Sequence, residues 1–288
     1  METDRTNKQI RLKDGRLLGY AEYGKPEGQP VFCFHGFPGS RLDWTYFQDA
    51  FKVEDLNIRM IVADRPGMGL SDFQRGRRML DWPDDVIELA DGLKLDRFAV
   101  LGISGGGPYA AACVYKIPER LTKTAIVSGM GPADAPGSTE GTAWTFPGKN
   151  SLIRKFILAL TAMGIKKKPE RIESQMIEGL KGPDKILFLE NPTLAKRITE
   201  SWQAALQSGI TGTNHEAVLY KCPWEFQLQD IKAEVYLWHG DKDDNVPISV
   251  GRYLADNIPH CHADFIENEG HFSLAYHYMK NILNTIIS

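Results

Sequence analysis

Short apolar runs alternate with helix-forming stretches at both ends of this 288-residue chain, and that alternation restricts its fold more than any other feature. Val31-Phe32-Cys33-Phe34, Met60-Ile61-Val62-Ala63, Phe98-Ala99-Val100-Leu101, Thr124-Ala125-Ile126-Val127, Val235-Tyr236-Leu237-Trp238 and Ala263-Asp264-Phe265-Ile266 are the runs in question. Segments so short and so apolar read as strands, most of them buried on both faces of a sheet. Between them, helical spacing of apolar residues is read over 43–53, 82–93, 108–115 and 249–257, and again after Phe272. Asp81 is the expected N-cap of the second of these helices, with Pro83 in its first turn. Strands and helices in this order predict a mostly parallel sheet covered on both faces. A hairpin turning at Asp14-Gly15 is expected to precede it.

The alternation stops at Gly129. Gly, Pro and Ala crowd residues 131–148, a loop composition. Helical patterns without a strand follow up to residue 225. Leu152, Ile153, Phe156, Ile157 and Leu160 form one expected apolar face, and Leu194, Ile198, Trp202 and Leu206 form another. The chain therefore reads as one α/β core, residues 1–130 and 226–288, interrupted by a helical insertion at 131–225.

Composition removes several function classes. Hydrophobic residues make up 42% and charged residues 25%, as in a globular domain, and a net charge of -3 offers no basic footprint for nucleic acid. The apolar stretch near 152–163 is too short for a membrane span, and residues 1–15 are mostly polar, so neither membrane insertion nor a signal peptide is expected and a cytoplasmic location is. Cys33, Cys113, Cys222 and Cys261 form no C-x-x-C pair. His260-Cys261-His262 lacks further ligands at a recognisable spacing, and H-E-x-x-H does not occur, so neither a metal nor another cofactor is expected. Cys33 and Cys113 sit in apolar runs and read as small core residues.

The stretch that carries chemistry is Gly102-Ile103-Ser104-Gly105-Gly106, between the Phe98 strand and the Pro108 helix. A serine on a sharp strand-to-helix turn is a nucleophile elbow. Gly102 and Gly106 let two backbones pass closely while the serine takes a strained conformation. The turn lifts the hydroxyl above the sheet and aims the Gly105 N–H at the same point. Read instead as a phosphate cradle, Gly105-Gly106-Gly107 lacks the P-loop Lys-Ser/Thr and the Rossmann spacing.

A serine hydroxyl needs a base, and the base needs an orienting acid. In open α/β sheets such groups gather at the carboxyl ends of strands. His271 follows the last strand in Glu269-Gly270-His271-Phe272, whereas His35 and His239 precede glycines and read as loop-shaping residues. For the acid, Asp241, Asp243 and Asp244 follow the Val235 strand, Asp134 follows the Thr124 strand, and the local pattern leaves all four open. His35-Gly36-Phe37-Pro38-Gly39-Ser40 follows the Val31 strand. Its glycines allow a backbone path that turns the Phe37 N–H toward the site as an oxyanion donor. Ser40 reads as a helix N-cap.

Taken together, the segments His35–Gly39, Asp64-Arg65-Pro66-Gly67-Met68-Gly69-Leu70-Ser71, the Gly102–Gly106 elbow, Gly240-x-x-Asp243-x-x-Val246-Pro247 and Gly270-His271-Phe272 resemble the α/β-hydrolase superfamily, in its lidded branch of esterases, epoxide hydrolases and haloperoxidase-like enzymes. They occur in that family's order, nucleophile, acid, base. The resemblance implies a mostly parallel eight-stranded sheet with a helical cap after the sixth strand. It also implies Ser104 as nucleophile, Asp243 as acid, His271 as base, and the Phe37 and Gly105 N–H groups as the oxyanion hole. Ser104 departs from the aspartate of epoxide hydrolases and haloalkane dehalogenases, which argues against both activities. Gly107 stands where a bulkier residue often follows, and is expected to leave room near the scissile bond.

These residues imply a serine hydrolase acting on a small-to-medium carboxylic ester, with a small-molecule acyl substrate as its partner. The same triad could serve an amidase, a C–C hydrolase, an acyltransferase or a perhydrolase, and the same pocket a slow-turnover receptor. Trp144, Phe146, Phe156, Met163, Met176 and Trp202 are candidate pocket residues of the insertion. At helical spacing such residues more often build a helix's own core. Lys166-Lys167-Lys168 reads as a solvated helix end.

Overall fold

The computed structural model of the chain describes residues 5–138, 140 and 151–288. Its eight strands form one sheet: β1 (Lys8–Arg11), β2 (Leu17–Gly24), β3 (Gln29–Phe34), β4 (Ile58–Ala63), β5 (Phe98–Ile103), β6 (Leu121–Val127), β7 (Val235–Gly240) and β8 (Cys261–Ile266). Their spatial order is β1-β2-β4-β3-β5-β6-β7-β8. β1 and β2 pair antiparallel around the Asp14-Gly15 turn, β2 meets β4 antiparallel, and every later pair is parallel. Strand order reverses at β3, which lies between β4 and β5. The loops leaving β3 and β5 therefore run in opposite directions and open a crevice at their carboxyl ends, where such sheets bind ligands.

The helices of the core are α1 (Trp82–Gly92) and α2 (Gly107–Lys116), then, after the insertion, α8 (Ile248–Asn257) and α9 (His271–Ile287). Between β6 and β7 come the helices of the cap: α3 (Ser151–Lys167), α4 (Pro169–Gly179), α5 (Gly182–Glu190), α6 (Thr193–Ala205) and α7 (Thr211–Leu219). The central strands are apolar on both sides because both sides are covered. Phe32, Phe34 and Val100 pack with α1, α2 and α8, while Val31, Cys33 and Leu101 pack with α9. Cys33 and Cys113 are both buried, as small core residues should be. Among the described residues no helix is long and apolar enough to cross a membrane.

Several local expectations give way to tertiary contacts. No α-helix forms over 43–53; the segment makes two 3-10 turns, Asp43–Phe47 and Val53–Leu56. Trp44, Tyr46 and Phe47 are buried within one short turn, and the Asp43 carboxylate is drawn back to the Gly36 amide. Ser40 caps no helix, its hydroxyl being bonded instead to Ser201 Oγ at 2.8 Å. Asp81 precedes α1 as expected, yet its carboxylate takes the Arg78 amide of the preceding turn, 2.8 Å away. The expected apolar face of α3 points outward: Leu152, Ile153, Phe156 and Leu160 are exposed. That helix is oriented by its other side, where Leu158 and Ile165 are buried and Arg154 donates to Asn214 Oδ1 at 2.9 Å. Lys166, Lys167 and Lys168 are exposed at its end, as expected.

The elbow is where backbone crowding is most severe. Ser104 has φ of 53°, in the left-handed region. A Cβ on Gly102 would stand 2.5 Å from the Gly106 carbonyl oxygen, and one on Gly106 would stand 2.8 Å from the Phe34 carbonyl carbon. Gly107 faces the protein interior, where a Cβ would meet the Gly129 Cα at 2.8 Å. It is small to let β6 and its loop approach, and it does not enlarge the substrate space. Because Gly106 meets backbone rather than a movable side chain, Gly106→Ala should destabilise the fold by about 2 kcal/mol, lowering Tm by about 5 °C in a thermal melt. Gly179, with nothing within 4 Å of an added Cβ, is the control, and its alanine variant should melt at or above the parent temperature. Equal melting of the Gly106→Ala variant and the parent would contradict the packing argument.

Candidate active site

Three strand-end loops bring their side chains to one point. Ser104 Oγ, on the turn after β5, lies 2.9 Å from His271 Nε2. His271 opens α9 after β8, and its Nδ1 lies 2.8 Å from Asp243 Oδ2 in the loop after β7. The other Asp243 oxygen accepts the Asn245 and Val246 amides at 2.9 and 2.7 Å. Of the four aspartates left open by the local pattern, Asp243 alone meets His271. Asp244 and Asp134 are exposed, and Asp241 accepts the Asn268 amide.

Asp243 and His271 each favour the charged form of the other. Burial opposes ionisation of Asp243, but the His271 ring and the loop amides outweigh it and hold its pKa below the usual carboxylate value. Burial likewise disfavours a charged His271, yet the Asp243 carboxylate prevails and, with Asp184, raises its pKa above the ordinary imidazole value of 6.5. His35 and His239 do shape loops. His35 Nε2 accepts the Arg65 amide at 3.2 Å while its Nδ1 faces the Gly36 carbonyl at 2.9 Å. His239 Nε2 donates to the Val246 carbonyl at 2.8 Å. Burial keeps both rings below the ordinary imidazole pKa.

Phe37, on the loop after β3, stands against the elbow: a Cβ on Gly105 would lie 3.2 Å from the Phe37 amide nitrogen. The two backbone segments expected to supply oxyanion donors are therefore neighbours beside Ser104. Above them opens a cavity of about 450 Å³, walled by Phe37, Phe47, Ile103, Met130, Ile172, Met176, Leu180, Ile198, Trp202, Val246 and Phe272. Met176 and Trp202 line this cavity. Phe156 and Met163 do not; they lie 65% and 46% exposed on α3. Trp144 and Phe146 lie outside the described residues. The polar wall contains Asp43, Gln175, Arg197, Ser201 and Asn245. Arg197 is already engaged, donating to the Thr45 carbonyl and to Asp49 Oδ1, both at 2.9 Å.

Sequence reading missed the buried charges that hold these loops. Asp43 Oδ2 accepts the Gly36 amide at 2.9 Å, while its Oδ1 accepts the hydroxyl of Ser201 from α6. Arg65, after β4, donates to the His35 and Gly36 carbonyls at 2.6 and 2.8 Å. Its Nε pairs with Glu216 of α7, and neither side chain is exposed. The Tyr220 hydroxyl lies 2.8 Å from both Glu216 Oε1 and the Gly105 carbonyl. Arg65 belongs to a motif segment that sequence reading did single out; Glu216 and Tyr220 carry no local signal, because the loop groups they hold, Arg65 and the Gly105 carbonyl, lie far away in the chain.

The chain matches known proteins along most of its length. The sequence profile of a family described as alpha/beta hydrolase fold matches residues 29–278. The non-heme chloroperoxidase of Streptomyces lividans is 27% identical over 242 residues, 83% of this chain and 83% of its own. The 2-hydroxy-6-oxononadienedioate/2-hydroxy-6-oxononatrienedioate hydrolase 1 of Pseudomonas putida is 26% identical over 284 residues, 93% of this chain and 91% of its own. A thermophilic esterase from Thermogutta terrifontis shares the fold, with a TM-score of 0.69 at 22% identity over 98% of this chain and 97% of its own.

Glu216→Gln tests the brace. It keeps the shape but leaves the buried Arg65 charge without its counter-ion, which typically costs about 3–5 kcal/mol. Tm should fall by on the order of 10 °C. An unchanged melting temperature would mean that the pair does not hold the loops.

Proposed function

This chain belongs to the alpha/beta hydrolase fold family and is an enzyme, and we propose that it is a serine hydrolase cleaving uncharged carboxylic esters of small to medium size through an acyl-enzyme. The observation that carries this reading is the hydrogen-bonded line from Ser104 Oγ through His271 to Asp243 at one end of an apolar cavity. An activated serine beside such a cavity suits acyl transfer from a substrate that is mostly apolar.

In this mechanism Ser104 Oγ attacks the ester carbonyl carbon while His271 Nε2 takes the hydroxyl proton. Asp243 accepts the Nδ1–H, keeps the ring in the useful tautomer, and stabilises the imidazolium without itself being protonated. The carbonyl oxygen, now an oxyanion, is received by the N–H groups of Phe37 and Gly105. The carbon–oxygen bond to the leaving group breaks, and the alcohol departs with the proton from His271. Water then gives its proton to His271 and attacks the acyl carbon. When the intermediate collapses, the acid is released and Ser104 recovers the proton. The insertion, residues 131–225, serves as the lid, and Met176, Leu180, Ile198 and Trp202 bound the acyl or alcohol group.

Charge favours a neutral substrate. The name of the Pseudomonas putida relative specifies a dicarboxylate, and such a substrate needs a cation in its pocket. Here Arg197 is committed to Thr45 and Asp49, while the Asp43 carboxylate shares the wall.

Three outcomes follow from kinetics on p-nitrophenyl esters. Ser104→Ala should lower turnover by at least about a thousandfold; parental turnover in that variant rules out Ser104 as the nucleophile. From acetate to hexanoate, kcat/KM should rise by about fourfold per methylene, since each buried CH₂ contributes roughly 0.8 kcal/mol. A profile that is flat or falling would show that the apolar cavity does not take the chain. The acid limb of the kcat/KM–pH profile reports loss of the base to protonation. Its midpoint should lie above 6.5, because the neighbouring carboxylates favour the imidazolium. A midpoint at or below that value contradicts the electrostatic account.

A further inference from the structure

The first turn of α9 carries His271, and it is capped from another part of the chain. A helix start leaves backbone N–H groups without partners, and a side-chain oxygen usually takes them. The residue at the cap position is Gly270, which has no side chain to offer. Its role is filled by Asp184 of α5. Asp184 Oδ2 accepts the His271 amide at 2.9 Å, and Oδ1 accepts the Phe272 and Ser273 amides at 2.9 and 2.8 Å. Ser273 Oγ returns the reciprocal bond to the Gly270 amide at 2.8 Å. This is a capping box assembled from two segments far apart in sequence.

The glycine in Gly270-His271-Phe272 follows from this arrangement. A Cβ at position 270 would stand 2.6 Å from Asp184 Cγ, so any larger residue would expel the carboxylate. Asp184 is itself buried, and Phe188 of the same helix packs edge-on against Phe272 with ring centroids 5.3 Å apart. Burial raises the Asp184 pKa, while the Ser273 and His271 amides and the His271 ring oppose that rise.

We propose that Asp184 is a positioning residue for His271, through which the cap sets both the place of the ring and the stability of its charged form. The carboxylate fixes the backbone amide of His271 and so the direction of its side chain. Its charge adds to that of Asp243, and the two together favour the imidazolium formed when Ser104 gives up its proton. Other groups also face the ring or its turn. These are Asp243 and His239 from the β7 side, Ser104 from the elbow, and Asp43 and Arg197 from the cavity wall. Tyr46 donates its hydroxyl to the Phe272 carbonyl at 3.2 Å, and burial keeps it a neutral phenol. Glu269 is paired with His277 at 2.9 Å.

The proposal rests on His271 being the general base, and the experiment separates the two. The His271 ring is titrated by NMR in the parent and in Asp184→Asn, with its resonance assigned by a His271→Gln variant, and kcat/KM is followed against pH on p-nitrophenyl butyrate. Asparagine keeps the size and one acceptor oxygen but loses the charge. The expected result is a His271 titration moved to lower pH, an acid limb that moves with it, and kcat/KM lower by roughly ten- to a hundredfold on the plateau from the misplaced ring. Asp184→Glu, which retains the charge, should keep the His271 midpoint closer to the parent than Asn does. A His271 titration unchanged in Asp184→Asn overturns the proposal. A ring titration that moves while the acid limb stays in place overturns His271 as the base and leaves the electrostatic contact standing. If the Asn variant does not fold, Asp184→Ser, whose hydroxyl can accept one amide of the turn, provides the same comparison.

Discussion

Ser104 sits at a positive φ because the strand before it and the helix after it pass too closely for any other path. A non-glycine residue in that conformation costs on the order of 1–3 kcal/mol, and it persists only where the surroundings over-determine it. Gly102 and Gly106 supply the clearance, and the Phe34 carbonyl closes against Gly106. The position of β3 beside β5 is therefore part of the elbow itself. The same adjacency places the Phe37 loop next to Gly105, so one packing constraint delivers both the proposed nucleophile and its proposed oxyanion donors.

Around that turn, the loops are held by buried carboxylates. Asp43 takes the Gly36 amide, Glu216 neutralises the arginine bonded to the His35 and Gly36 carbonyls, and Asp184 caps the turn that carries His271. A buried charge is costly unless it is paired or fully hydrogen-bonded. Each of these is bonded to backbone or to guanidinium, so each can hold a loop in only one arrangement. Two of them belong to the cap, and the third accepts a cap hydroxyl from Ser201. The insertion therefore does more than cover the cavity, since its side chains reach the Phe37 loop, the elbow and the turn that carries His271.

What was legible in the sequence was what local chemistry controls. The buried strands could be read because both faces had to be apolar, and the elbow because its glycines mark a backbone crossing. The order Ser104, Asp243, His271 was available through family resemblance, although proximity to a strand end did not distinguish Asp243 from Asp241 or Asp244. Tertiary contact overrode the rest. The aromatic residues of 43–53 suggested a helix but bury themselves in short turns. Phe156 and Met163 had helical spacing, but the buried Arg154 and Leu158 turn their helix the other way. Gly107 was read as space for substrate and instead admits the Gly129 backbone. Asp184 and Glu216 stood in unremarkable helical sequence, because a bond to a residue 87 or 151 positions away leaves no local trace.

The central claim is that an acyl group passes through Ser104. It is tested most directly by mixing the enzyme with p-nitrophenyl butyrate, quenching in acid within the first turnovers, and locating any adduct by peptide mass spectrometry. The account predicts a butyryl group on the peptide containing Ser104, appearing no more slowly than turnover and disappearing as substrate is exhausted. Steady turnover with that peptide unmodified, or with the acyl group on a different residue, would contradict it.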